Sequence, residues 1–302
     1  MRLNHAKAKY GILAVLIGLL LLILFLPHSE KVNQNKATWL WDASLIRNET
    51  EEIVAFSVNH GITTIFLQIQ QDVQEEEYRR FISAASRQGI QVHALDGHPE
   101  WAYENGREEG LKLLSWLEAY NQAASPEERF QGVQLDVEPY VLKRWDREQA
   151  QVVKEWSANL EAWVQEAERI ALPLSAAVPF WLDSVPGPEG NQAGSFSRWM
   201  IERTDSIAIM AYRDSGEQMY ELSKEELEQA DELGKSVWIG MELANTDEGE
   251  HLTFYAKSRG EMEDEAKRAA SLGSEHPSFA GIAVHHYQAW VHKNMAMAED
   301  EQ

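Results

Sequence analysis

Cysteine is absent from the 302 residues. That excludes a disulfide framework, a thiolate nucleophile, a Cys-ligated zinc and attachment of a lipid through a thiol. Basic side chains are scarce too: 27 Lys and Arg stand against 49 Asp and Glu, for a net charge of −22. So acidic a surface repels phosphate backbones, and nucleic acid is not an expected partner. Charge alone would not dock it on anionic lipid either. No glycine-rich phosphate loop follows an early strand, and neither H-x-H nor H-E-x-x-H occurs. No Ser–His–Asp arrangement can be argued from spacing. The closest approach to a metal set is His93, Asp96 and His98, but His93 and Asp96 fall on opposite faces of an extended segment. Neither a metal nor a cofactor is expected. What the chain has in quantity is apolar surface, at 44% hydrophobic residues with 11 Trp. That is enough for a large core without disulfides.

The N-terminus carries the clearest local signal. Arg2, Lys7 and Lys9 precede an apolar run from Tyr10 to Leu26, about the length that crosses a hydrocarbon core. Bases before the run place residues 1–9 in the cytoplasm and the rest outside. A signal peptide would share this pattern, but no small-x-small cleavage site follows Leu26. The expectation is therefore a single-pass anchor over 10–26 in the lipid bilayer of the cell membrane. A polar tether over 27–36 and an extracytoplasmic domain over 37–302 would follow it.

Beyond the tether, short apolar runs alternate with longer amphipathic stretches. Eight runs read as strands: Thr38–Asp42, Thr64–Ile69, Gln91–Gly97, Gly132–Pro139, Leu174–Trp181, Ser206–Asp214, Ser236–Leu243 and Phe279–Tyr287. Helical periods lie between them over Glu75–Gln88, Glu108–Asn121, Arg147–Arg169, Lys224–Leu233 and Arg259–Leu272. Gly89, Gly234 and Gly273 stand where helices should stop. Alternation of this kind implies parallel strands joined by right-handed crossovers. Eight units in ~265 residues match a (β/α)8 TIM barrel. A doubly wound open sheet is the alternative, and it lacks its usual phosphate loop here.

In a barrel strand, alternate side chains meet the helices and must be apolar. Val133, Leu135 and Val137 form that set in the fourth strand, so Gln134, Asp136 and Glu138 point inward. The same parity sends Ala208, Met210, Tyr212 and Asp214 inward from the sixth strand, and Trp238, Gly240 and Glu242 from the seventh. It places His285 and Tyr287 inside from the eighth, and Gln68 and Gln70 beside Phe66 from the second. The polar members collect at the C-terminal ends of strands, where barrel enzymes place their active sites. Some could instead be satisfied core polar groups, but several acids converging on one mouth weigh against that. Asp136 and Glu138 are neighbours on one face, and like charges so close push one pKa upward. A carboxyl kept protonated near neutral pH can act as a general acid on a glycosidic oxygen.

The stretch from Gln131 to Glu138, QGVQLDVE, resembles the D-G-x-D-x-D-x-E strand of chitinase-like family 18 glycoside hydrolases. Met210-Ala211-Tyr212-Arg213-Asp214 resembles that family's M-x-Y-D on the sixth strand, and Trp290 resembles the Trp that floors its sugar site. The resemblance implies a barrel over most of the chain. Glu138 would be the proton donor, Asp136 and Tyr212 would contact an acetamido group, and the N-acetyl carbonyl would serve as nucleophile. Gln131 and Gln134 replace the first two acids of the pattern, and Arg213 separates the Tyr from the Asp. The chain also resembles retaining glycosidases of the four–seven superfamily: Glu138-Pro139 is similar to the end of their N-E-P, and Glu242 stands where their nucleophile would be. Tyr212 and Asp214 favour the first resemblance.

Both readings put a carbohydrate polymer at the mouth. Trp41, Trp101, Tyr140, Trp181, Tyr287 and Trp290 follow or end strands, and such rings stack on sugar C–H faces. Each alone also fits a core role. Asp42, Gln68, Asp96, Gln134 and His285 are the candidate polar contacts. Three functions are therefore open: a glycosidase acting on an extracellular or cell-wall glycan, a carbohydrate-binding barrel that has lost catalysis, and an anchored scaffold.

Overall fold

The computed structural model describes residues 33–188 and 194–300. The apolar run Tyr10–Leu26, expected to anchor the chain, lies outside them. Among the described residues no helix is long and apolar enough to cross a membrane.

Eight strands close into a barrel in sequence order, every neighbouring pair parallel. They are β1 (Lys36–Leu40), β2 (Ile62–Gln68), β3 (Gln91–Asp96), β4 (Gly132–Leu135), β5 (Leu174–Pro179), β6 (Ser206–Met210), β7 (Ser236–Glu242) and β8 (Phe279–His285). The helices are α1 (Thr50–His60), α2 (Glu75–Ser86), α3 (Arg107–Ala123), α4 (Lys143–Arg169), α5 (Phe196–Arg203), α6 (Gly216–Glu221), α7 (Lys224–Leu233), α8 (Arg259–Gly273) and α9 (Tyr287–Asp300). An open sheet is thus excluded, since β1 pairs with β8.

Alternation along the strands divides the core in two. Trp39, Phe66, Leu95, Ala208, Trp238 and Ala283 fill the cylinder. Val133, Leu135, Ile207, Ile209, Val237, Ile239, Ile282 and Val284 face the helices. In α4, Val152, Trp156, Leu160, Trp163 and Ala167 are buried at helical spacing, which presents one apolar stripe to the barrel. Glu148 departs from helical geometry at φ −137 and ψ 33, so the main run of α4 begins after Glu148, slightly past the Arg147 start that the periodicity gives. Glycine also shapes the mouth. A Cβ on Gly240 would sit 2.5 Å from the Ile209 carbonyl oxygen and 3.3 Å from Tyr212 Cε1, and one on Gly97 would overlap the Asp136 carbonyl. Bare backbone at these two positions lets the end of β3 approach Asp136, and lets β7 approach Ile209 of β6 and Tyr212 beyond it.

Candidate active site

The ends of β1, β4, β5, β6 and β8 surround a cavity of about 370 Å³, lined by Trp39, Trp41, Asp136, Glu138, Ala177, Met210, Tyr212 and His285. It opens at the C-terminal mouth of the barrel. Its floor is set from below: Gln134 is fully buried, and Trp39 Nε1 donates to its Oε1 at 2.6 Å. Gln134 therefore supports the floor rather than lining the cavity.

Asp136 follows β4 directly. Its backbone N–H donates to the Asp96 carbonyl at 3.0 Å, extending the β3–β4 pairing by one step. Its Oδ1 is buried without a hydrogen-bond partner. Burial, and then the neighbouring charge of Glu138, hold the Asp136 carboxyl well above the usual carboxylate range. Glu138 has a different environment, because Tyr140 donates its O–H to Glu138 Oε1 at 2.5 Å. Burial, followed by the Glu138 charge, pushes the Tyr140 phenol up and keeps it protonated. Tyr212 is pushed up by burial, then by Glu242, Asp136 and Glu138. At neutral pH the mouth thus holds a protonated carboxyl and two phenol donors around Glu138, a set able to deliver a proton to a bound oxygen.

His285 forms another wall. Its Nδ1 lies 2.7 Å from Glu242 Oε2, and Trp41 Nε1 donates to its Nε2 at 3.0 Å. The other oxygen of Glu242 accepts from the Ala244 N–H at 2.6 Å.

Other expected residues stand apart from the cavity. Asp214 pairs with Lys257 Nζ at 3.0 Å. Asp42 accepts from the N–H and hydroxyl of Ser44, at 3.0 and 2.5 Å. Gln68 Nε2 donates to Asp96 Oδ1 at 3.2 Å, and Asp96 is raised by burial. Trp181 packs edge-on against Tyr140 at 4.9 Å, one shell behind Glu138. Trp101 packs near Trp163 at 6.2 Å. Tyr287 and Trp290 need correction, since parity sends Tyr287 inward and the resemblance makes Trp290 a sugar floor. Both are buried in the outer layer, edge-on to Phe56 of α1 at 5.4 and 5.6 Å. The strand ends at His285, and Tyr287 and Trp290 lie on the first turn of α9, where helical spacing turns them to α1.

Trp39 and Ala177 are the lining residues that sequence reasoning missed, and Trp39 is the larger of the two. Parity applied to β1 would have found it, because Leu40 faces the helices and its neighbours Trp39 and Trp41 must then face the axis.

The fold and mouth define a closed (β/α)8 barrel with paired carboxyls at its C-terminal end. No protein-family model matches the sequence, and no curated protein matches it. Solved structures do. A GH18 chitinase from Pseudoalteromonas aurantia is similar with a TM-score of 0.59 and 13% identity, over 87% of this chain and 98% of that one. A putative alpha-L-fucosidase from Bacteroides thetaiotaomicron VPI-5482 is similar with a TM-score of 0.56 and 10% identity, over 87% and 90%. A chitinase from Bacteroides thetaiotaomicron gives 0.53 and 11%, over 85% and 90%. At these identities what is shared is the barrel fold.

Proposed function

We propose that this protein is a glycoside hydrolase that cleaves an N-acetylated extracellular or cell-wall glycan, with Glu138 as proton donor. The observation that carries the reading is the single cavity in which Asp136, Glu138, Tyr212 and two Trp rings meet. Rings such as Trp39 and Trp41 suit the C–H faces of a sugar, and the acids suit its glycosidic oxygen. Asp136, whose carboxyl burial and the Glu138 charge hold above the usual range, can pass its proton to Glu138 for delivery to the leaving oxygen, and with Tyr212 it can orient an acetamido group whose carbonyl attacks the anomeric carbon. The likeness in fold to two chitinases and a putative fucosidase agrees with this reading. The four–seven alternative is less well supported, because both oxygens of Glu242 are already engaged. As to location, the proposal adds an anchor over Tyr10–Leu26 that leaves the barrel outside the cytoplasm, supported by the charge and length of that run.

Glu138→Gln tests the assignment. Released reducing ends are measured on a panel of N-acetylated oligosaccharides and on peptidoglycan. The variant is expected to keep the wild-type melting temperature and lose turnover at least about 100-fold. Full activity would refute the role of Glu138. Binding without turnover by the wild type would select a carbohydrate-binding barrel instead.

A further inference from the structure

Glu242 is buried at the end of β7, is absent from the cavity lining, and meets a donor on each oxygen. Oε1 takes the Ala244 N–H at 2.6 Å, and Oε2 faces His285 Nδ1 at 2.7 Å. The other ring nitrogen of His285 lies 3.0 Å from Trp41 Nε1. An indole N–H can only donate, so Nε2 must be the acceptor and the imidazole proton must be on Nδ1, aimed at Glu242. The chain therefore has one direction: Trp41 donates to His285, and His285 donates to the Glu242 carboxylate. At the far side of Trp41, its carbonyl accepts from Gln70 Nε2 at 3.2 Å. Trp41 and His285 both line the cavity with Glu138.

We infer that Glu242 and His285 are positioning residues: the Glu242 carboxylate fixes the His285 tautomer, and His285 in turn holds the Trp41 indole in place as a stacking wall for a sugar ring. The identity of the ligand rests on the glycan reading above; the hydrogen-bond chain does not. A carboxylate is required because two donors must be accepted on two atoms. An amide offers one oxygen, and its NH2 would confront either the Ala244 N–H or the proton on His285 Nδ1. The same engagement makes Glu242 a poor nucleophile, since attack would forfeit both bonds.

The test has two arms on the full chain. In the first, long-range 1H–15N spectra of the ligand-free protein read the His285 tautomer. Wild type is expected to show Nδ1–H. Trp41→Phe, which removes the indole N–H together with the pyrrole ring but keeps an aromatic side chain, should keep that form, because Glu242 still accepts the proton. Glu242→Gln should lose it or show exchange between the two forms. Nε2–H in wild type, or loss of Nδ1–H in Trp41→Phe, overturns the inference whatever the protein binds, and the Trp41→Phe result stands should Glu242→Gln fail to fold. In the second arm, binding and turnover of tri-N-acetylchitotriose are compared. Glu242→Gln and Trp41→Ala should each weaken binding about tenfold, and the double variant should be no worse than either alone. Glu242→Gln should lower kcat less than about tenfold. Abolished turnover with unchanged KM would make Glu242 the nucleophile and overturn the positioning role. Absence of binding by wild type would remove the glycan reading and leave the tautomer arm to decide the relay.

Discussion

A buried carboxyl with an unpartnered oxygen holds its proton more tightly than one in water, and among the described residues Asp136 and Glu226 are such groups. Asp136 lies at the mouth. Glu226 lies on α7, buried to 1% exposure with Oε2 unpartnered, and burial pushes it up to about 8. Both folded-state values lie above those of the unfolded chain, so the native state holds the proton more tightly. The stability linked to Glu226 is complete below the ordinary Glu range and is lost as pH rises through about 8. Glu226→Gln is therefore expected to match wild type near about pH 4 and to exceed it by about 2–4 kcal/mol near about pH 9, read by denaturant unfolding at each pH. Asp136 has the same sign, so deprotonation should also depress kcat/KM on the alkaline limb. Parity alone brought Asp136, Glu138, Tyr212 and His285 to one cavity. It misplaced Tyr287 because a period of two ends with β8, and it sent Asp214 inward as well, whereas the chain past Tyr212 turns that carboxylate to Lys257 Nζ. Lys257, the partner of Asp214, comes from the distant loop after β7, and no local pattern announces that pairing.

Among elements, the starts of β3 to β8 were legible to the residue, but every strand ends earlier than its apolar run, by four residues in β4 and β6, because apolar and aromatic residues continue into the loops at the mouth. Helices α2, α3, α4, α7 and α8 were read from their periods, whereas α1 and α9, at 11 and 14 residues, were not. Helix α5 has 8 residues and α6 has 6, too few turns for a period of 3.6 to show. Gly89 and Gly234 take left-handed φ of +75 and +65 past their helices, as expected. Gly273 instead ends α8 itself, where a Cβ would press on the Phe279 ring at 2.7 Å; packing, not turn geometry, selects glycine there. The contact between β7 and the segment after β6 gives an element-scale prediction. Gly240→Ala puts a methyl against the Ile209 carbonyl and the Tyr212 ring. It should cost about 1–3 kcal/mol in stability and lower turnover at least about tenfold through Tyr212. Thermal melts and kinetics on the same preparation check both, and unchanged kinetics would detach Tyr212 from the reaction.

For the whole molecule, closure is the governing fact. Asn33 already belongs to the barrel: its side-chain amide donates to the carbonyls of Phe279 and Ala280, each at 3.0 Å, and its N–H donates to Ser274 Oγ at 2.9 Å. A chain starting at Asn33 should unfold in one cooperative transition by circular dichroism. A chain starting after Leu40 lacks β1, exposes the free edges of β2 and β8, and should show no such transition. Absence of a cooperative melt in the first chain would show that residues before Asn33 are needed for folding.

The seam between β1 and β8 also dictates a schedule. A ribosome delivers Phe279–His285 after the other seven strands, and until then the oldest strand and the newest each offer an unpaired edge to any passing chain. The molecule cannot be completed from its beginning onward. It is finished in one late step, and a stall before Phe279 leaves two adhesive margins uncovered.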